Sequence, residues 1–195
     1  MAHTVVRHPL DADATRWALA AAAGDRVALG EFIRVTQRDV WRFIAHLTGP
    51  QAADDLTQEC YLRAMDALPS FRGDSPVRPW LLTIARRCVA DAHRRAAARP
   101  RRVGAPDPDR CPHPVPDASG AVEIRRMLAS LDADRREALV LTQVLGYSYA
   151  EAAEVVGVPI GTIRSRVARA RAQLVSEWSD APRASLDAVG VRLAG

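Results

Sequence analysis

Residues 157–175 read GVPIGTIRSRVARARAQLV, placing Arg164, Arg166, Arg169 and Arg171 beside the hydroxyls of Thr162 and Ser165, with no acid between Pro159 and Ser176. Guanidinium forks donate paired hydrogen bonds to phosphate oxygens or to the edge of a guanine, and hydroxyls serve either target. A helix that only meets water interleaves acids with its bases, for solubility and for pairing one turn apart. This segment does not, and the chemistry it suits is contact with a nucleic acid. On a helical wheel Val167, Ala170 and Leu174 all lie within about 40° of Ile163, a single narrow buried stripe. Thr162, Ser165, Ala168 and Arg169 lie opposite, Arg164 sits at one shoulder, and Arg166 and Arg171 flank the buried edge. Such a helix in a major groove presents its outer centre to base edges and its flanks to phosphates.

A second constellation lies at DDLTQECYLRA, residues 54–64. Ala53, Leu56, Cys60, Ala64 and Ala67 share one sector at helical spacing, while Asp55, Gln58 and Leu62 project from another. An outward face mixing carboxylate, amide and leucine suits a partner helix better than plain solvent. Asp54 and Asp55 also sit where acids favour a helix N-terminus. No enzyme chemistry accompanies these groups. His46, His93 and the other histidines fall in no nucleophile, metal or phosphate-loop pattern, so neither a cofactor nor a catalytic residue is expected. The three cysteines, Cys60, Cys88 and Cys111, have no CxxC spacing, as fits a reducing compartment, and Cys111 with His113 is a weak metal pair.

The elements that position these groups are helical. Aromatics make up 5% of the chain while Ala, Leu and Arg abound, and β-branched runs are short, so the expected fold class is all-α. The net charge is +4 and every cation is an arginine, which favours an acidic partner. No apolar run reaches the roughly 20 residues of a membrane span and no leader-like segment opens the chain, so a cytoplasmic protein without membrane contact is expected. Between residues 99 and 119 six prolines rule out a continuous helix and make a semi-extended tether. The expected organisation is an N-terminal segment (1–13), a helical unit (14–97), a Pro-rich linker (98–120), a second helical unit (121–178) and a disordered tail (179–195).

Within the first unit, apolar spacing predicts helices over 12–23, 27–47 and 51–68, broken at Gly49-Pro50. A turn-rich loop, SFRGDSP, follows, with Asp74-Ser75-Pro76 reading as the cap of a helix to about Arg95 that turns Trp80, Ile84 and Cys88 inward. In the second unit Asp132 to Asp134 cap a helix through Leu145, Gly146 stops it, Ser148 caps the next, and Gly157 ends that one. Ala153, Gly157 and Ile163 then have the spacing of a helix-turn-helix: a small residue for close approach, a glycine in the turn and an apolar residue seating the second helix.

At these residues a family resemblance appears. VPIGTIRSRVARARAQL resembles the last DNA-binding helix of the extracytoplasmic-function (ECF) sigma factors of the sigma-70 family. DDLTQECYLRA and FRGDSPVRPWLLTIARRCVADAHRR are similar to the polymerase-binding and minus-ten parts of region 2 in the same family, and occur in the family's order. The resemblance implies a promoter-specificity subunit of bacterial RNA polymerase, not an enzyme, whose two units read the minus-ten and minus-thirty-five elements without packing into one block. It implies that Asp54, Asp55, Gln58, Glu59 and Leu62 bind the β′ clamp helices, that region 4 meets the β flap, and that an anti-sigma factor is a further partner. For the minus-ten DNA it points to Phe71, Arg72 and Asp74 in the loop and to Arg86 and Arg87 on the helix. There an unstacked base needs a pocket, and the backbone needs cations. Arg87 stands where the family has Asn, and a guanidinium there reaches phosphate as readily as a base. Arg94, Arg95, Arg99, Arg101 and Arg102 either follow the template strand or solvate the helix end. For the minus-thirty-five DNA it implies Arg164, Ser165 and Arg169 at the bases, with Thr162, Arg166 and Arg171 on the backbone, and Ala168 near a thymine methyl. The competing reading is a free-standing helix-turn-helix transcriptional regulator, which leaves DDLTQE and PWLLTIAR unexplained.

Overall fold

The computed structural model describes residues 11–98, 124 and 126–180; the expected linker with Arg99, Arg101, Arg102, Cys111 and His113, and most of the tail, lie outside them. Among the described residues the structure is helical throughout, with no strand. The first unit comprises α1 (Asp11–Ala22), α2 (Arg26–Thr48), α3 (Pro50–Ala67), a 3-10 turn (Leu68–Ser70) and α4 (Val77–Ala98). The second comprises a helical stretch at 126–130, α5 (Ala133–Leu139), a π-helical turn (Val140–Val144), α6 (Tyr149–Val156) and α7 (Ile160–Asp180).

Local chemistry fixes the helix ends. Asp25 Oδ1 accepts from the Val27 and Ala28 N–H groups at 2.8 and 3.1 Å, satisfying donors that the first turn of α2 leaves unpaired. Pro50 opens α3, where its missing N–H costs nothing. Ser148 and Glu151 form a reciprocal capping box on α6, and Gly157 ends it in the left-handed region at φ 75°, as the turn of a helix-turn-helix requires. The helix expected through Leu145 instead changes register after Leu139: the Leu145 N–H donates to Val140 O, five residues back, at 3.0 Å. This π turn, followed by a Tyr147 N–H bond to Leu141 O, brings Tyr147 inward.

Apolar faces close the two units. Ala53, Leu56, Cys60 and Ala64 of α3 are all buried, against Phe32, Phe43 and Ile44 of α2 and Leu81, Leu82 and Ala85 of α4. Inside this core the Thr36 and Tyr61 hydroxyls meet at 2.8 Å, which removes the penalty of two buried polar groups. Burial pushes the Tyr61 phenol upward. Cys60 and Cys88 are free buried thiols, and their mutual hydrogen bond, together with burial, raises the Cys60 thiol well above its ordinary value.

The two units touch, contrary to the expectation of separately placed readers. Arg78, 4% exposed, is held by Asp11 at 2.9 Å and by Asp39, and its guanidinium lies 5.0 Å from the ring centroid of Tyr147 in the second unit. The ring caps a cation that is already neutralised, so burying it brings no unpaired charge into the interface. Beside it Arg86 Nε donates to Glu137 Oε1 at 2.8 Å.

Candidate functional site

Helix α7 is positioned by Ile163, Val167 and Ala170, all essentially buried, with Leu174 half-buried at the end of the stripe. The opposite face is open: Arg164, Ala168 and Arg169 are exposed, and neither Arg164 nor Arg169 has an ion pair among the described residues. The flanking arginines are anchored. Arg166 pairs with Asp134 of α5, and Arg171 donates to Gln143 Oε1. Ser165 Oγ donates to the Thr162 backbone carbonyl at 2.9 Å, which keeps the serine side chain against the helix. The geometry therefore separates two exposed arginines, Arg164 and Arg169, from two, Arg166 and Arg171, held at the edges by the neighbouring helical turns.

On α3 the exposed face carries Asp54, Asp55, Gln58 and Leu62, the last 60% exposed. Asp54 Oδ1 accepts from Trp41 Nε1 at 2.8 Å, so α2 fixes the carboxylate's direction. Glu59 turns elsewhere. It is half-buried and bound to Arg63 and, at 3.0 Å, to Arg95, in a network that Arg63 extends to Asp91 of α4 at 2.6 Å. The Arg63 hydrogen bond holds the Asp91 carboxyl below its ordinary range. Arg94 pairs with the same Asp91 within α4, while Arg95 crosses the α3–α4 seam to Glu59.

Between the 3-10 turn and α4, Ser70, Phe71, Arg72, Gly73, Asp74, Ser75 and Trp80 line an open cleft of about 220 Å³. Phe71 is 9% exposed and packs against Trp80 with ring centroids 5.0 Å apart and planes tilted by 43°, while Arg72 and Asp74 are exposed. The aromatic pair is thus the wall and the charged pair the rim. Trp80 shares a face with Ile84, which points to the core, yet both are only half-buried and line a second cleft, of about 250 Å³, with Arg87 and Glu154. Sequence spacing missed Trp80 and Glu154 as cleft residues, because one helix's periodicity does not report that the facing surface is a different unit. Of the two α4 arginines expected at the minus-ten strand, Arg87 is exposed and Arg86 is committed to Glu137. Burial raises the Glu137 carboxyl, against the opposing pull of Arg86.

Among the described residues, a helix-turn-helix joined to a second helical unit with an aromatic cleft is an architecture suited to binding DNA. Comparison with known proteins narrows this. Residues 32–99 match the family model "Sigma-70 region 2" and residues 121–174 match "Sigma-70, region 4". The chain is 51% identical over 170 residues to the ECF RNA polymerase sigma factor SigC of Mycobacterium tuberculosis, covering 86% of this chain and 92% of that one. Among solved structures it resembles CnrH in complex with the cytosolic domain of CnrY, with a TM-score of 0.68 and 26% identity over 86% of this chain and 98% of that one. It also resembles the sigma factor RpoE in complex with the anti-sigma factor NepR from Bartonella quintana, with a TM-score of 0.64 and 28% identity over 78% of this chain and 98% of that one. The chain belongs to the extracytoplasmic-function sigma factors of the sigma-70 family and is an RNA polymerase sigma factor acting in transcription initiation. The free-standing regulator reading gives way, since region 2 accounts for the segments that reading left unexplained. Among the described residues no helix is long and apolar enough to cross a membrane.

Proposed function

We propose that this sigma factor docks on the β′ clamp helices of core polymerase through Asp54, Asp55, Gln58 and Leu62, with Glu59 acting indirectly by tying α3 to α4. Leucine exposed at 60% within an acidic helix face gains little from solvent and is covered once a partner helix lies across it. The cleft beside the 3-10 turn receives an unstacked minus-ten base. Phe71 and Trp80 supply an apolar wall for stacking, and Arg72 and Asp74 supply polar groups at the rim. Arg87 meets the strand's phosphates, and Arg86 joins it once Glu137 releases it. Helix α7 reads the minus-thirty-five duplex with Arg164, Ser165 and Arg169 at base edges, Ala168 against a thymine methyl, and Thr162, Arg166 and Arg171 at phosphates. The second unit also meets the β flap.

The observation that carries this reading is the pairing, on one chain, of an aromatic-walled cleft suited to a single base with an acid-free helix suited to a duplex. A protein partner of the anti-sigma kind fits the same surfaces by covering the acidic face of α3 or the cations of α4 and α7. Transcription in vitro with purified core polymerase and a genomic promoter pool tests the proposal. Initiation at promoters sharing two spaced elements supports it, and failure to co-elute with core or to start any transcript refutes it.

A further inference from the structure

Helix α1 lies outside the region 2 match, which begins at residue 32, and besides Asp11, which helps hold Arg78, it carries residues that face the loop before α4. Three of its residues, Asp11, Thr15 and Leu19, recur every four positions and so lie along one helix face. Each holds a different point of the segment that forms the minus-ten cleft. Asp11 Oδ1 accepts from Arg78 Nη1 at 2.9 Å. Thr15 Oγ1 accepts from the Val77 N–H at 3.1 Å, while its own proton goes to Asp11 O at 2.8 Å. Leu19 lies against Gly73: a Cβ built on that glycine would stand 3.2 and 3.3 Å from the two Leu19 methyl carbons.

These contacts set the loop where local chemistry does not. The first turn of α4 has unpaired N–H groups, and the expected caps were Asp74 and Ser75. The acceptor at Val77 instead comes from α1, 62 residues away in sequence, and Asp74 stays exposed at the cleft rim. Gly73 has φ 78°, a conformation that a glycine adopts without a Cβ penalty. The Leu19 methyls occupy the space on that side of it. Anchoring of α1 does not depend on Leu19, because Ala14 and Ala18 are fully buried in the core, whereas Leu19 is 40% exposed.

We propose that α1 is the brace of the minus-ten loop: Thr15 and Leu19 are positioning residues that fix the Gly73 turn, and with it the base preference of the Phe71–Asp74 cleft. The proposal rests on the assignment of that cleft to a minus-ten base. Arg72 and Asp74 touch the base; Thr15 and Leu19 act through the loop.

The full chain, bound to core polymerase, is assayed on a promoter library randomised in the minus-ten element, with the minus-thirty-five element varied separately. Leu19→Ala and Thr15→Val are expected to shrink the ratio between the best and worst base at the cleft-read position by about fivefold or more, since a misplacement of about 1 Å at a site can cost far more than this. Preference in the minus-thirty-five element and affinity for core polymerase stay as in the parent, and Leu19→Met, which retains reach and apolarity, keeps the parental ratio. An even fall in transcript across the library, with base ratios unchanged, overturns the proposal by showing a structural role alone. If Arg72→Ala and Asp74→Ala also leave every minus-ten ratio unchanged, the cleft assignment itself fails, and the brace falls with it.

Discussion

Glu137→Arg is expected to separate the two helical units of the free protein. Glu137 is 8% exposed at its side chain and meets Arg86, 37% exposed, at 2.8 Å. A hydrogen bond between charged partners contributes about 1.5–3 kcal/mol, and the exposure of Arg86 discounts this pair toward the lower end. Two like charges 4 Å apart repel by about 4 kcal/mol at the effective dielectric of a protein surface, of which most is relieved as the side chains swing apart. Together these give a shift of about 2–3 kcal/mol, or roughly 30- to 150-fold in the ratio of closed to open chains. Labels on the two units, read by single-molecule energy transfer, report that ratio directly. The decisive control is the exchange Arg86→Glu with Glu137→Arg, which restores opposite charges across the interface and is expected to bring closure back toward the parental level. Unchanged distances in the single variant, with both units still folded, would show that the Arg86–Glu137 pair does not hold the units together. An exchange that stays open would show that the single variant acts by damaging the second unit.

Arg169→Ala is expected to cost about 1–3 kcal/mol and to relax preference at one minus-thirty-five base, whereas Arg171→Ala weakens all promoters alike; equal loss across a promoter library would remove the division of α7 into centre and flank. Leu62→Arg leaves the melting transition within about 0.5 kcal/mol of the parent, because the site is exposed, but abolishes co-elution with core polymerase; retained co-elution would exclude α3 as the docking face. Ile163→Ala, at a fully buried position, lowers the stability of the second unit by about 2–5 kcal/mol in denaturant titration. The Asp91 carboxyl is held below its unfolded value by Arg63, so its contribution to stability is present above the unfolded pKa and lost as pH falls through the folded one. Asp91→Asn is expected to flatten the pH dependence of unfolding at the acid end, and an unaltered acid limb would place the linkage elsewhere.

Much of this molecule was legible because helical periodicity records which face of an element is covered. The stripe of Ile163, Val167 and Ala170 and the sector of Leu56, Cys60 and Ala64 are buried as their spacing implies, and Ser148 with Gly157 bounds α6 as its residue types dictate. Spacing does not record which distant group does the covering. Arg78 pairs with Asp11 across 67 positions, Val77 is capped by Thr15 across 62, and Arg86 finds Glu137 across 51. Each of these residues looks locally like an exposed polar side chain or an ordinary helix start, and only the tertiary arrangement turns it into a tether. The π turn at Val140–Val144 is of the same kind: the apolar run VLTQVL fits a continuing α-helix, and the placing of Tyr147 under Arg78 goes with the change of register.

The α4 residues that meet the second unit include Arg86 and Arg87, the ones proposed above for the minus-ten strand, and this follows from their chemistry. Single-stranded DNA asks for an aromatic face and a few guanidinium groups on one side of a helix. Trp80, Arg86 and Arg87 on α4 meet that request, and left alone they would be a half-exposed indole beside two cations. The second unit answers them with complementary groups: Glu137 to Arg86, Glu154 across the cleft from Trp80 and Arg87, and Tyr147 over Arg78. A surface made to hold a flexible polyanion is thus also one that an acidic, aromatic-bearing helical unit of the same chain can occupy. Occupancy by DNA therefore requires that the intramolecular contact be weaker than the sum of polymerase docking and promoter binding. The 37% exposure of Arg86 lets solvent screen its pair with Glu137 and so lowers what that pair adds to the closed arrangement.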